Sequence, residues 1–408
     1  MKLHLTTNQS KLNASIAISG SKSESNRLLI LQQLMDGLQI DNLSDSDDSN
    51  HLQHALTTTE ELVDIGHAGT AMRFLTAYFS VKEDREVVLT GSERMQNRPI
   101  AILVDALRNL GARISYEDKE GYPPIRIKGT KINKEKVQIN GNVSSQYISA
   151  LMLVASSLPN GLEIELTGKI TSVPYINMTL KLLHELGITA NFTENRIQVK
   201  PFVATANKTI VVESDWSSAS YFYSLVALSA VGSQVTLSAY KKDSLQGDSC
   251  LAEIYKHFGV ETSFDQHTIT ISKIKETTTS TLVLDLKNAP DIAQTIAVTS
   301  FGLHVPCALT GLHTLKIKET DRLVALENEL TKLGAVISIT DESLELEKST
   351  KINSSISIET YHDHRMAMAF APLALKVPIL ILDANVVTKS YRDFWKDMQQ
   401  IGFQIREE

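Results

Sequence analysis

Residues 20–27 read Gly-Ser-Lys-Ser-Glu-Ser-Asn-Arg, so Lys22 and Arg27 flank a short run of hydroxyl, carboxylate and amide side chains. An apolar run follows at once, which indicates a helix that Ser23 or Ser25 can cap. The free amides and the positive dipole end of a first helical turn attract anions, as the two cations do. The octet therefore predicts a phosphate or carboxylate site, although a capped surface helix with solvated charges fits the same pattern.

Four further polar clusters also stand just ahead of apolar helical runs. They are residues 66–73, 94–99, 144–147 and 318–322. Glycines in the first cluster let backbone amides approach a ligand, and the second cluster adds two guanidiniums. In the fourth, Glu319 and Arg322 are one turn apart, which also fits an ordinary surface ion pair. The repetition of such helix starts favours anion binding over unrelated surface features.

His362 and His364 raise the alternative of a metal site, because His-x-His can supply two ligands. Arg365 follows directly, and a guanidinium beside a divalent cation is electrostatically unfavourable. A capped helix start explains the same residues, so no metal is expected.

Motifs for common cofactors are missing as well. Gly20-Ser21-Lys22-Ser23 resembles the end of a P-loop, but Ser15 stands where that motif has its first glycine. G-x-G-x-x-G, G-x-S-x-G and H-E-x-x-H do not occur, which argues against a dinucleotide enzyme, a serine hydrolase and a zincin. No cofactor is therefore expected.

Composition excludes several classes of protein. The chain has 408 residues, of which 42% are hydrophobic and 21% charged, typical of a globular protein of about two or three domains. A net charge of −7 and a pI near 5.9 argue against a nucleic-acid surface. Cys250 and Cys307 are too few for a disulfide framework, and no apolar run reaches membrane-spanning length. We expect a cytoplasmic protein with no membrane partner.

The elements that must carry these side chains recur along the chain. Amphipathic helical patterns end at five glycines, and an alternating apolar segment follows several of them; the glycines are Gly111, Gly187, Gly259, Gly334 and Gly402. Their near-equal spacing, with a possible sixth copy around Gly37, predicts about six similar α/β units. Each unit is longer than a solenoid repeat, so we expect small subdomains.

The motifs resemble, in order, those of the 5-enolpyruvylshikimate-3-phosphate synthase family, the 3-phosphoshikimate 1-carboxyvinyltransferases. The matching residues are 20–27, 68–73, 94–95, 98–100, 144–147, 172–176, 217–222, 246–248, 290–291, 318–322, 363–368 and 389. They span nearly the whole chain, and their order makes the match far more specific than any one motif. The resemblance implies an enolpyruvyl transferase fold of two similar domains, each of three βαβαββ units, with the active site in the interdomain cleft. The domains would be residues 21–213, and residues 1–20 together with 214–408.

The resemblance also implies a reaction: the enolpyruvyl group of phosphoenolpyruvate passes to the 5-hydroxyl of 3-phosphoshikimate by addition and elimination, and phosphate is released. The 3-phosphoshikimate would be held by Lys22, Ser23, Arg27, Ser144, Ser145, Gln146, Ser172, Asp291, Thr314 and Lys318. Phosphoenolpyruvate would be held by Lys22, Gly69, Arg98, Gln146, Arg322, Arg365 and Lys389. These small anions are the expected partners, and a monomer is the expected state.

Two proton transfers are needed, one to the enol methylene and one from the attacking hydroxyl. By the same resemblance, Glu319 would protonate the methylene and Asp291 would accept the hydroxyl proton, while Lys22 and His364 assist. Which group carries which proton in each half-reaction does not follow from the sequence.

Some positions depart from the family pattern. His67 stands in place of the usual Asn, Phe74 where Pro is common, and Val173 where Lys is usual. Thr314 replaces an Asn that typically contacts substrate, and Ser390 follows Lys389 where Thr is usual. None of these departures removes a charged group with an implied role.

Two alternative functions remain. UDP-N-acetylglucosamine enolpyruvyl transferases share the fold, but typically have Asn after the early Lys and a reactive Cys in the first domain. Here Ser23 follows Lys22, and no cysteine precedes Cys250. The other alternative is a non-catalytic anion-binding homologue, against which the retained acid and base side chains argue.

Overall fold

The computed structural model describes residues 1–142, 144–170, 173–202 and 208–408. These residues divide into two compact units. Gly20–Val212 forms one, here named the continuous unit; Met1–Ser19 and Glu213–Glu408 together form the other, the split unit. The unit boundaries lie one residue from the domain ranges given above, and the assignment of those ranges as domains stays a prediction.

Helices and strands alternate along both units. The α-helices are α1 (Lys22–Leu34), α2 (Asp47–Thr57), α3 (Gly69–Val81), α4 (Glu93–Gln96), α5 (Ala101–Leu110), α6 (Ser145–Ala155), α7 (Val173–Glu185), α8 (Trp216–Leu228), α9 (Leu251–Ile254), α10 (Ala293–Gly302), α11 (Arg322–Lys332), α12 (His364–Phe370) and α13 (Phe394–Ile401). Short 3-10 helices cover Gly247–Cys250, Tyr255–Phe258, Pro290–Ile292, His313–Ile317, Ala371–Leu375 and Ala384–Lys389.

The strands are short. They are β1 (Leu3–Thr6), β2 (Asn13–Ile16), β3 (Leu38–Asp41), β4 (Leu62–Asp64), β5 (Glu86–Thr90), β6 (Arg113–Tyr116), β7 (Ile125–Lys128), β8 (Lys136–Asn140), β9 (Leu162–Thr167), β10 (Ala190–Thr193), β11 (Arg196–Val199), β12 (Lys208–Val211), β13 (Gln234–Ser238), β14 (Val260–Asp265), β15 (Thr268–Lys273), β16 (Leu282–Asp285), β17 (Cys307–Thr310), β18 (Ile337–Ile339), β19 (Leu344–Leu346), β20 (Ile356–Ile358), β21 (Ile379–Ile381) and β22 (Gln404–Glu407).

The described strands form six sheets, five of which repeat one arrangement. A parallel pair lies at one side and two antiparallel strands complete the sheet, in the orders β4-β5-β7-β6, β8-β9-β11-β10, β2-β13-β15-β14, β16-β17-β19-β18 and β20-β21-β1-β22. The sixth sheet pairs β3 with β12 in parallel. The sequence prediction of about six similar α/β units is therefore confirmed.

The first residues of the chain complete sheets of the split unit. Leu5 in β1 lies opposite Ile379 of β21 and Ile405 of β22, and β2 pairs in parallel with β13. Because Leu5 is fully buried, this pairing is held by the core as well as by backbone hydrogen bonds.

The predicted glycine stops are confirmed. Each has a positive φ, a conformation that costs glycine little, at Gly111, Gly187, Gly259, Gly334 and Gly402. The strand that follows each glycine is an edge strand of a repeated sheet, namely β6, β10, β14, β18 and β22. The helix before Gly259 ends as a 3-10 turn rather than as an α-helix.

Buried helices lie inside each unit. All ten residues of α10 are buried, and hydroxyl groups link it to α8 through Ser220 with Thr295, 3.0 Å, and Ser224 with Thr299, 2.8 Å. Both pairs advance four residues along each helix in the same direction, so α8 and α10 run parallel. Across the described ranges of the chain, no helix has the length and apolar character needed to cross a lipid bilayer.

Candidate active site

In the continuous unit, Arg27 lies where four helices meet. Its Nε donates to Thr179 at 2.8 Å, one Nη2 hydrogen goes to Ser149 at 3.0 Å, and its Cζ is 5.5 Å from the centre of the Phe74 ring. Each contact residue belongs to the second turn of its helix, namely α7, α6 and α3, just as Arg27 does in α1. The four helices therefore begin at the same end of the unit, and their positive dipole ends lie together.

Arg27 itself is directed into the protein. Its side chain is buried, Nη1 donates to the Ser23 carbonyl at 2.7 Å, and burial lowers the pKa of the guanidinium to about 10. All three of its nitrogens thus have protein partners, and direct contact with substrate stays a prediction. Lys22 and Ser23, one turn earlier, are partly exposed, and Lys22 Nζ lies 3.8 Å from Asp48 Oδ2.

The predicted cap of α1 is wrong. Ser21 is the N-cap residue and its side chain makes no capping hydrogen bond, so Ser23 and Ser25 lie inside the helix. The Ser25 hydroxyl instead accepts the amide of Ser44 at 2.9 Å. The first-turn amides of α1 consequently have no side-chain cap, which suits an anion in that position.

Gly69 and Arg98, both predicted to bind phosphoenolpyruvate, are in contact. A Cβ on Gly69 would lie 2.4 Å from Nη1 of Arg98, so a larger residue here would displace the guanidinium from this position. Arg73 supports the same loop, since Nη1 donates to the Gly69 carbonyl at 3.1 Å and Nη2 to the Pro99 carbonyl at 3.2 Å. Burial and the nearby charge of Arg98 lower the pKa of Arg73 to about 10. Two guanidiniums this close would be stabilised by a bound anion.

Gln146 joins the start of α6 to the start of α3, because its Nε2 donates to Thr70 Oγ1 at 3.1 Å. Ser144 caps α6 by accepting the Gln146 amide at 3.4 Å, and Ser145 is buried in the first turn. Ser172 lies outside the described residues. We name the group formed by Lys22, Gly69, Arg73, Arg98 and Gln146 the cationic cluster.

In the split unit, Arg322 is surrounded by acidic side chains. Nε donates to Asp363 at 2.7 Å, Nη1 to Asp291 at 2.8 Å and Nη2 to Glu319 at 2.7 Å. Burial opposes its charge, but Asp363, Glu319 and Asp291 outweigh burial and raise the pKa of Arg322 above its usual value. The sequence left a surface ion pair open for Glu319 and Arg322; the 2% exposure of Arg322 excludes that interpretation.

Asp291 is the centre of this group. Besides Arg322, its carboxylate lies 3.4 Å from Lys318 Nζ and 3.7 Å from Arg365 Nη2, and its backbone carbonyl accepts Arg365 Nη1 at 3.2 Å. Three cations thus surround one carboxylate, and an ionised carboxylate is the form that can accept a proton. We name Asp291, Lys318, Glu319, Arg322, Asp363 and Arg365 the carboxylate cluster.

The remaining residues with predicted roles lie beside this cluster. His364 is buried, with Nδ1 3.8 Å from Asp363 Oδ1, and Lys389 Nζ donates to the His362 carbonyl at 2.7 Å. The Thr314 hydroxyl oxygen is buried and has no hydrogen-bond partner among the described residues. It is therefore a buried polar atom that a substrate group could satisfy.

The histidines of the His-x-His pattern diverge. His362 is exposed and hydrogen-bonds Asp383 at 2.9 Å, whereas His364 is buried beside Asp363. Asp363 caps α12 by accepting the Arg365 amide at 2.8 Å, which is the capped helix start that the sequence left as an alternative. Within the ranges that the structure describes, no three His, Cys, Asp or Glu side chains are grouped to hold a metal ion.

Sequence reasoning missed three partners of these residues. Asp363 holds Arg322, Arg73 holds the loop of Arg98, and Asp48 lies beside Lys22. Arg73 and Asp363 stand in helix starts singled out in the sequence, whereas Asp48 lies in the first turn of α2, which the sequence analysis did not single out. These partners could be identified only from contacts between residues far apart in the sequence, and a single sequence carries no signal of such contacts.

The chain is similar to known proteins over nearly its whole length. A sequence model of the EPSP synthase (3-phosphoshikimate 1-carboxyvinyltransferase) family matches residues 53–398. A 3-phosphoshikimate 1-carboxyvinyltransferase of Bacteroides fragilis is 45% identical, covering 99% of this chain and 98% of that protein. The enzyme of the same name from Mannheimia haemolytica is 35% identical, covering 96% and 98%.

Solved structures support the fold. EPSP synthase from Acinetobacter baumannii has a TM-score of 0.83 at 20% identity over the full length of both chains. The enolpyruvyl transferase NikO from Streptomyces tendae has a TM-score of 0.74 at 13% identity, covering 99% of this chain and 98% of that one. The enolpyruvyl transferase fold expected from the sequence is thus confirmed, and by the family match and the two relatives the chain belongs to the EPSP synthase (3-phosphoshikimate 1-carboxyvinyltransferase) family.

Proposed function

We propose that this chain transfers the enolpyruvyl group of phosphoenolpyruvate to the 5-hydroxyl of 3-phosphoshikimate and releases phosphate, a step of the shikimate pathway. The observation that carries the proposal is the carboxylate cluster, where a candidate base, Asp291, and a candidate acid, Glu319, share Arg322 at 2.8 Å and 2.7 Å. A guanidinium that binds both groups fixes their separation, which suits a reaction that needs a proton removed and a proton delivered.

In the addition step, Asp291 accepts the proton of the 5-hydroxyl while the hydroxyl oxygen attacks carbon 2 of phosphoenolpyruvate. Glu319 delivers a proton to the methylene carbon, so a tetrahedral intermediate forms with no net change in protons. In the elimination step, a proton leaves the new methyl group and the carbon–oxygen bond to phosphate breaks. We propose that Lys22 and His364 assist these transfers.

The cationic cluster supplies the binding charge for two multiply anionic substrates. Arg98 lies against Gly69, and the helix starts of α1, α3, α6 and α7 add backbone donors. We propose that Lys22, Gly69, Arg98 and Gln146 bind phosphoenolpyruvate together with Arg322, Arg365 and Lys389. The 3-phosphoshikimate contacts are Lys22, Ser23, Arg27, Ser144, Ser145, Gln146, Ser172, Asp291, Thr314 and Lys318.

The direct test is release of inorganic phosphate from phosphoenolpyruvate with each candidate acceptor. We expect release with 3-phosphoshikimate and none with UDP-N-acetylglucosamine. Asp291→Asn should lower turnover by about 10²-fold or more, as expected for loss of a general base. Asp321→Asn serves as a matched control, because Asp321 caps α11 next to the cluster, while the side chain of Arg322 pairs with Asp363, Asp291 and Glu319 instead.

The alternatives predict different results. Release of phosphate only in the presence of UDP-N-acetylglucosamine would favour the sister enzyme. Binding of phosphoenolpyruvate with no release of phosphate in the presence of either acceptor would favour a non-catalytic homologue. The expectations of a monomer and of a cytoplasmic location stay predictions.

A further inference from the structure

Gln246 and Asp248 hold the first turn of α8 from outside that helix. Gln246 Oε1 accepts the Trp216 amide at 2.9 Å, and its Nε2 donates to the Ser214 carbonyl at 3.0 Å. The Ser217 hydroxyl donates to Asp248 Oδ2. Both side chains are buried, with 7% of Gln246 and 8% of Asp248 exposed. None of these contacts has a part in the mechanism above.

The same serine reaches Arg365. Ser217 Oγ accepts a hydrogen bond from Arg365 Nη2 at 3.3 Å, while Nη1 of that guanidinium is held by the Asp291 carbonyl at 3.2 Å. Arg365 is therefore supported from two sides. One side is the candidate base, and the other is a hydroxyl that is itself bound to Asp248.

A serine hydroxyl has a single hydrogen, so its two neighbours decide what it can do. Donation of that hydrogen to Asp248 leaves the oxygen lone pairs for Arg365. A carboxylate is a stronger acceptor than a neutral group, so it holds the hydroxyl in this orientation. Without the negative charge of Asp248, the hydroxyl can rotate so that its hydrogen points towards the guanidinium of Arg365 and repels it.

We propose that Asp248 is a positioning residue for phosphoenolpyruvate binding, acting through the Ser217 hydroxyl on the guanidinium of Arg365. The inference rests on the proposed role of Arg365 and adds a residue that itself touches no substrate. Its consequence is that the affinity for phosphoenolpyruvate depends on the charge of Asp248.

The electrostatic surroundings make that charge variable. Burial, with the adjacent charge of Asp291, raises the pKa of Asp248 to about 7, against the opposing effects of Arg365 and the Ser217 hydrogen bond. Asp215, at the start of α8, raises the pKa of Asp248 further, and the Cys250 thiol is an additional titratable neighbour. We therefore expect the KM for phosphoenolpyruvate of the wild type to rise as the pH falls through about 7.

Two substitutions test the relay. Asp248→Asn keeps the shape and removes the charge, and Ser217→Ala removes the hydroxyl. Each should raise the KM for phosphoenolpyruvate about 10-fold at pH 8, as expected for a weakened hydrogen bond to a charged group, with kcat changed much less. Each should also remove the dependence of KM on pH near 7. The KM of the double variant should be no higher than that of either single variant, because both substitutions break the same link between Asp248 and Arg365.

Ser217→Thr keeps a hydroxyl and should restore a KM close to that of the wild type. The matched control is Ser224→Ala, which removes another buried hydroxyl of α8 that accepts from Thr299, away from Arg365. Its KM should be unchanged.

Unchanged KM values and an unchanged pH profile in both Asp248→Asn and Ser217→Ala would overturn the inference. A general loss of packing would instead raise the KM of Ser224→Ala as well, which would also overturn it. If the wild type releases no phosphate, the proposed function fails independently. Calorimetric titration of phosphoenolpyruvate into the same variants then still decides whether Asp248 supports Arg365.

Discussion

Arg322 Nε donates a 2.7 Å hydrogen bond to Asp363 Oδ2, and the two side chains are 2% and 0% exposed. The other oxygen of the same carboxylate accepts the Arg365 amide at 2.8 Å and so caps α12. One aspartate thus fixes both a guanidinium and a helix start, although 41 positions separate it from Arg322 in the sequence.

Asp363→Ala should therefore be strongly destabilising. Removal of the Asp363 carboxylate leaves the buried Nε of Arg322 without an acceptor and α12 without its N-cap, while Asp291 and Glu319 still balance the guanidinium charge. We expect the free energy of unfolding to fall by about 2–4 kcal/mol. Urea unfolding followed by tryptophan fluorescence measures this, because both tryptophans of the chain, Trp216 and Trp395, belong to the split unit.

Asp321→Ala is the matched control for that prediction. Asp321 caps α11 by accepting the amides of Leu323 and Val324 at 3.2 Å and 3.3 Å, but it holds no buried guanidinium. Loss of an N-cap costs about 1 kcal/mol. Equal losses in Asp321→Ala and Asp363→Ala would contradict a special contribution of the buried pair.

Gly69→Ala should weaken phosphoenolpyruvate binding without unfolding the protein. The new Cβ would stand 2.4 Å from Arg98 Nη1, so the flexible end of Arg98 must move. We expect the KM for phosphoenolpyruvate to rise about 10-fold, as for loss of one hydrogen bond to a charged group. In an Arg98→Ala background the same change should have almost no further effect on KM. A full additional loss there would show that Gly69 acts by another route.

Glu213→Gln should change the pH dependence of stability. Glu213 accepts from the Trp216 indole at 2.7 Å, the Lys241 amide at 2.9 Å and the Ser244 hydroxyl at 2.6 Å. Burial nonetheless raises its pKa above the usual value. The folded state then holds a proton that the unfolded state has released, so the wild type loses stability as the pH rises through the folded pKa.

Glutamine carries no such proton. The free energy of unfolding of Glu213→Gln, relative to the wild type, should therefore increase from pH 4 towards neutrality, measured by urea unfolding at each pH. Ser244→Ala removes a hydrogen bond that lowers the pKa of Glu213. The stability of this variant should therefore continue to fall up to a higher pH than the stability of the wild type does. A constant difference between Glu213→Gln and the wild type would refute the predicted direction.

The repeating fold was predictable because its signals are local. A helix that ends at Gly111 or Gly402 needs only the neighbouring residues to be recognised, since both glycines adopt the left-handed conformation that stops a helix. The signals for helix starts were also local, but the cap of α1 could not be predicted from neighbouring residues. The Ser25 hydroxyl accepts the amide of Ser44, a partner that is close only in the folded chain.

The candidate site was predictable in its residue types but not in its pairings. Arg322 and Glu319 are close in the sequence, whereas Asp363 and Asp291 reach the same guanidinium from distant segments. Arg27 carries the signal of a substrate-binding cation, yet its nitrogens contact Thr179, Ser149 and the backbone. Burial and long-range hydrogen bonds decide such roles, and neither follows from the spacing of residues.

Glu319→Gln should separate catalysis from stability. Glu319 is 32% exposed at its side chain, while Arg322 keeps Asp363 and Asp291 as buried partners. Glutamine keeps a carbonyl oxygen that can accept from Nη2, and Arg322 keeps two ionised partners, so the free energy of unfolding should fall by only about 1 kcal/mol. Turnover, measured by phosphate release, should fall about 10²–10⁴-fold, as expected when a general acid is removed. A loss of stability as large as that of Asp363→Ala would assign Glu319 to the support of Arg322. Near-normal turnover would exclude Glu319 as the proton donor.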